Sequence, residues 1–207
     1  MPGAGLWNLA VLLLAPQTAP DPYFPPSYAT PSILCEKGER PAFPIVSDFE
    51  SKWYSGHLAA AQESSLYARS LRPLSAGEGA LRFTWLRTFH PPVVVRVETS
   101  GEGARRLIVK QLSGAGGYAP GTVAKAIDRL LSPAEVERLD AMLARTQVFS
   151  LPPKLCDLGL DGAQWIIESV DAKGYRLVDR FTPRDGGVRD LGLFLLGLSG
   201  WEFGEIY

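Results

Sequence analysis

"ALRFTWLRTFHPPVVVRVETSGEGARRLIVKQL", residues 80–112, decides the fold. Leu81, Phe83, Trp85 and, less regularly, Phe89 alternate with Arg82, Thr84 and Arg87. That two-residue period, with aromatic and β-branched residues, is a strand with two unlike faces. His90-Pro91-Pro92 ends it, because proline offers no N–H to a ladder. Val93–Thr99 is a second strand, Ser100-Gly101-Glu102-Gly103 a hairpin-type turn, and Arg105–Leu112 a third strand. Strands joined by so few residues pair antiparallel.

Working toward the C-terminus, "SGAGGYAPG", residues 113–121, puts four glycines in nine positions. A Walker loop needs a lysine after its last glycine to reach the phosphates, but Thr122 follows Gly121. Gly114-Ala115-Gly116 with Ala119 has the spacing of a dinucleotide fingerprint, yet Pro120-Gly121 falls where the helix would begin. The stretch therefore reads as a mobile hairpin loop with Tyr118 exposed as a binding anchor. Residues 122–131 fit two patterns. Val123, Ile127, Leu130 and Leu131 suit a helix; Val123, Lys125, Ile127 and Arg129 suit a strand returning beside the third. The strand is preferred, because Ser132-Pro133-Ala134-Glu135 at once starts a separate helix, with Ser as N-cap, Pro at N1 and Glu at N3. Val136, Leu139, Met142 and Leu143 are its apolar stripe, and it ends near Thr146. Gln164–Val170 and Tyr175–Phe181 form a hairpin about Asp171–Gly174, and the apolar stretch Val188–Leu198 is a final helix.

Toward the N-terminus, Ser47-Asp48-Phe49-Glu50 is a capping box. Phe49, Trp53 and His57 follow at i, i+4 and i+8, a helix ending near Ala61 or Gln62. Residues 63–75 form a connector with some local order. Residues 20–46 are proline-rich and read as an extended arm whose Tyr23, Phe24 and Tyr28 pack onto the domain. The expectation is a single α+β domain over residues 47–207. It has an antiparallel sheet of about five to six strands with two or three helices mainly on one face.

Leu6–Ala15 is an apolar run interrupted only by Asn8, too short to span a bilayer but matching the core of a secretory signal. No Lys or Arg precedes it, and Gln17 and Pro20 make a poor cleavage signal. The alternative is a buried N-terminal segment. The expectation drawn is export, to a periplasm or outside the cell, with residues 1–19 as the possible signal peptide. Cys35 and Cys156 are then a candidate disulfide; in the chain-entropy picture, closing a loop of roughly 120 residues is worth about 4–5 kcal/mol. Two separate buried thiols are the other possibility.

Charge excludes more than it assigns. Lys and Arg number 21 against 22 Asp and Glu, a net charge of −1, without the basic stripe of a nucleic-acid binder. The two histidines and two cysteines are too widely spaced for zinc, and no Asp-rich loop is present, so no metal or cofactor is expected. No G-x-S-x-G elbow occurs. Glu50 and His57 share a helix, and imidazole suits acid/base work, but two turns is long for direct contact. His90 sits at a strand end. Asp161-Gly162 makes a tight turn that sends Gln164 and Glu168 to one strand face, with Arg176 or Arg180 across the hairpin as partners for Glu168. The expected function is an exported, non-enzymatic domain that binds a partner or small ligand through a sheet face or loops, with Tyr118, Gln164, Glu168, Arg176 and Arg180 as candidate contacts. The alternative is a hydrolase-type enzyme with an acid/base group among Glu50, His57, His90 and Asp161. A domain of a larger envelope assembly is a third class, marked by a large exposed apolar patch.

Overall fold

The computed structural model describes residues 21–34, 42–157 and 159–207. The candidate signal segment and Cys35 lie outside them. Cys156 is a disulfide cysteine rather than a free thiol.

Two short strands, β1 (Pro31–Ile33) and β2 (Phe43–Pro44), pair with each other in the arm. Helices α1 (Asp48–Ala60) and α2 (Leu66–Ser70) follow. Next come the meander β3 (Gly79–Arg87), β4 (Val93–Thr99), β5 (Arg105–Leu112) and β6 (Val123–Leu130), then α3 (Pro133–Thr146). The hairpin β7 (Ala163–Asp171) and β8 (Gly174–Phe181) and helix α4 (Gly186–Gly197) complete the order. The main sheet is six-stranded and antiparallel, ordered β6-β5-β4-β3-β7-β8. The α+β class and antiparallel sheet are as the sequence leads one to expect, and residues 123–130 are a strand.

The helices divide between the two faces. On the first, Leu81, Phe83, Trp85, Val95, Val109, Trp165 and Ile167 pack with Leu139 of α3 and with Leu191 and Leu195 of α4. On the second, Leu86, Val94, Leu112, Ile166 and Leu177 pack with Tyr54 and Leu58 of α1, with Ala61 at its C-cap and with Phe24 of the arm. Central strand β3 is consequently buried at every position, including Arg82 and Thr84. Each large apolar side chain so buried stabilises the fold by about 1.5–3 kcal/mol relative to exposure. Trp85 and Trp165 face each other across β3 and β7, and both indole N–H groups donate to the Tyr207 carbonyl oxygen, at 3.3 and 3.0 Å. A Cβ on Gly192 would lie 2.6 Å from the Trp165 ring, so α4 rests on that indole only because glycine occupies the crossing.

Both anticipated capping boxes form: Glu50 N–H donates to Ser47 Oγ at 3.2 Å, and Glu135 N–H to Ser132 Oγ at 3.3 Å. The stripe of α1 that meets the sheet is Tyr54 and Leu58, continued by Ala61 at the C-cap; Phe49 stays 72% exposed at the helix start. No helix among the described residues is long and apolar enough to cross a membrane.

Candidate functional site: a groove walled by the glycine loop

The glycine stretch is not a free loop. It extends the β5–β6 hairpin through Ser113 N–H to Thr122 O (2.9 Å), Gly114 N–H to Pro120 O (3.0 Å) and Ala115 N–H to Ala119 O (3.1 Å). It then folds onto the β3–β4 turn: Gly116 N–H donates to Arg87 O at 2.9 Å, and Gly117 N–H to Thr88 O at 3.0 Å. Backbone lies against backbone. A Cβ on Gly116 would stand 2.5 Å from Arg87 O, closer than real Cβ atoms come. The mobility expected from composition is thus corrected: the glycines permit close approach, and the approach fixes the loop.

Helix α1 fastens the loop from the other side. Trp53 Nε1–H donates to Gly116 O at 2.6 Å. His57 is 2% exposed, with Nδ1 3.0 Å from Trp53 O and Nε2 3.4 Å from Ala115 O. Carbonyl oxygens only accept, so either ring N–H donates to backbone: from Nδ1 to Trp53 O within α1, or from Nε2 to Ala115 O, which braces α1 against the loop. Glu50 does not bond to it; the carboxylate caps α1 and pairs with Lys154.

The facing wall is residues 159–163. Thr88 N–H donates to Gly162 O at 2.9 Å, and Gly162 N–H returns a bond to Thr88 Oγ1 at 3.1 Å. Phe181 lies directly beneath Gly159 and Gly162. Between the walls is a groove of about 780 Å³, lined by Phe49, Trp53, Tyr118, Leu160, Gln164 and Phe181, with Lys52 and Asp161 also on its lining. Tyr118 is 64% exposed and Leu160 97%. Phe89, 57% exposed, lies against Tyr118 with ring centroids 6.1 Å apart, and Phe49 against Trp53 at 5.9 Å.

A buried polar cluster backs the groove. Gln164, with its amide nitrogen turned inward, donates to Asp179 Oδ1 at 3.0 Å. Tyr54 O–H donates to Asp179 Oδ2 at 3.0 Å, and Lys154 Nζ stands 3.5 Å from the same oxygen while also bonding Glu50. Two carboxylates share one ammonium. Burial above all, with Glu50 adding repulsion against the pull of Lys154, raises Asp179 to about 6. A carboxyl whose folded pKa is raised gives stability that is full below its unfolded value and lost as pH rises through about 6. Relative to Asp179→Asn, the wild type should therefore gain roughly 1–1.5 kcal/mol between pH 7.5 and 5, read from urea midpoints. A pH-independent difference would contradict the assignment.

The other sequence candidates scatter. His90 Nδ1 lies 2.7 Å from the Tyr207 hydroxyl. Glu168 is fully buried and bonded to Arg82, not to Arg176 or Arg180. The hairpin register decides this: Glu168 opposes Leu177, while Arg176 opposes Ser169 and Arg180 opposes Trp165, so both arginines start from the other face. Arg180 donates to Pro152 O at 2.8 Å and holds the segment that covers the β8 edge. Of the named candidates, Tyr118, Gln164 and Asp161 meet in the groove, and Glu50 stands behind it. Lys154, Leu160 and Phe181 went unread because only the tertiary fold brings them there. The groove offers apolar contact, one amide, one ammonium and one carboxylate, and neither histidine lines it. Among the described residues no group of three or more His, Cys, Asp or Glu is placed to hold a metal ion. No family model matches the chain, and none of the curated proteins matches it.

Proposed function

We propose that the chain is an exported binding domain whose groove takes an apolar or aromatic segment of a protein partner. The observation that carries this reading is the set Phe49, Tyr118 and Leu160, 72%, 64% and 97% exposed around one concavity. Large apolar side chains gathered at one concave site, rather than scattered singly, mark interaction surfaces. The walls support the reading further. Both are tied down by backbone hydrogen bonds, so little ordering entropy is lost on binding. Aromatic anchors on such a rigid frame are the side chains that dominate interface energies. Lys52 and Asp161 supply one charge of each sign, which suits selection of an orientation more than attraction of a polyanion.

Display of a random heptapeptide library on the folded domain tests this. Recovered sequences should share aromatic or aliphatic anchors. Phe49→Ala and Tyr118→Ala should each weaken them by about tenfold, roughly 1–2 kcal/mol, with unfolding midpoints unchanged because both side chains are exposed. Recovered peptides that bind both variants as well as the wild type would overturn the groove as the site.

A further inference from the structure

A second cavity, of about 660 Å³, lies at the other end of the sheet and on the other face, under the C-terminal turns of α3. Its apolar part is Leu81, Val97, Leu139, Leu143 and Phe149. Its polar part is unusual. Ser169 and Arg176 are direct neighbours across the β7–β8 ladder, and both line the cavity. Ser169 is 6% exposed. Ser169 Oγ and Arg176 Nε are both buried with no hydrogen-bond partner. Elsewhere on the Arg176 guanidinium, Nη2 pairs with the Asp171 carboxylate, and the group lies 4.8 Å from the Phe149 ring centroid.

Buried polar groups without partners are rare in folded proteins, and each one asks what satisfies it. An arginine Nε–H can only donate, and a serine hydroxyl can donate beside it. Two adjacent donors on one wall call for an acceptor oxygen. Lys173 also lines the cavity and balances Glu78, while Arg105 pairs with Asp140 at 2.7 Å, so the two unpartnered donors decide what the polar wall accepts. The apolar floor calls for hydrocarbon. We propose that this cavity binds a small monocarboxylic acid with an apolar tail, its carboxylate oxygen accepting from Ser169 Oγ–H and Arg176 Nε–H. The tail lies along Leu139, Leu143 and Phe149.

Octanoate titrated into the full chain, with octan-1-ol as the neutral control, tests this through the methyl resonances of Leu139, Leu143 and Val148. Octanoate should move those methyls saturably, and octan-1-ol should bind at least about tenfold more weakly for want of the anionic acceptor. Ser169→Ala and Arg176→Gln should each weaken octanoate by about tenfold. Ser169→Ala should leave the unliganded melting temperature unchanged or higher, since the hydroxyl has no protein partner to lose. No saturable methyl shift, equal binding of acid and alcohol, or unchanged affinity in both variants would overturn the proposal. A lowered melting temperature in Ser169→Ala with octanoate affinity intact would assign the two donors to a structural water instead.

Discussion

Replacing Arg82 with methionine is expected to destabilise the domain by about 3–5 kcal/mol, the largest effect of any single substitution considered. Arg82 is fully buried in the central strand, and its guanidinium grips Glu168 with two bonds, Nε to Oε2 at 2.8 Å and Nη2 to Oε1 at 2.9 Å. Its third donor, Nη1, reaches Ser64 O at 2.7 Å in the α1–α2 connector. Around this pair, Tyr175 O–H donates to Glu168 at 2.9 Å, while Glu63 takes Arg96 at 2.6 Å and Lys110 at 2.7 Å. The cost comes from what remains: a Glu168 carboxylate in a dry interior with its cation gone. The double variant Arg82→Met/Glu168→Met removes both charges and should recover most of the loss, because a well-packed apolar pair can replace a buried ion pair at little net cost. Urea midpoints of the single and double variants check this. A single-variant cost under about 1 kcal/mol would class the pair with solvated surface bridges.

The second large effect belongs to Gly116→Ala. The new methyl would sit 2.5 Å from Arg87 O and 2.6 Å from Leu86 C, atoms of the central strand that cannot yield. The loop must lift, which releases the Gly116 and Gly117 bonds and the Trp53 indole bond together. A cost of about 2–3 kcal/mol follows, in the range of overpacking. Groove binding should be lost with it, because Tyr118 leaves its position. Gly56→Ala is the control: it lies on the exposed side of α1 with nothing within 4 Å of a new Cβ, and should stabilise by about 0.5–1 kcal/mol. Same substitution, opposite sign, decided by what the methyl meets.

The strands were legible because alternation is a local property. Residues 80–112 carry it plainly, and the meander follows from the short turns between them. What local pattern does not convey is whether the polar side of an alternating strand meets water. Arg82 and Thr84 are the polar side of β3, yet they are buried, with the connector between α1 and α2 lying over Arg82. The residue that makes this tolerable, Glu168, is 86 positions away. The Glu168 pairing was misread for a second reason: a two-residue turn at Ala172-Lys173 sets even positions of β7 against odd positions of β8, which puts Leu177, not an arginine, opposite Glu168. The glycine loop shows the same limit. Its composition is that of a flexible linker, and only the β3–β4 turn beneath it reveals that the missing side chains make room for backbone. Trp53 and His57 were visible on α1, but their shared task of fastening that loop was not.

Amide hydrogen exchange at Gly116 and Gly117 tests whether the groove is built, since a binding groove needs its wall in place before any ligand arrives. Both amides are hydrogen-bonded to the β3–β4 turn, and their exchange should be slowed by at least about a hundredfold relative to an unstructured chain. Exchange of both amides at the unprotected rate would mean that the loop stands free and that no built groove exists.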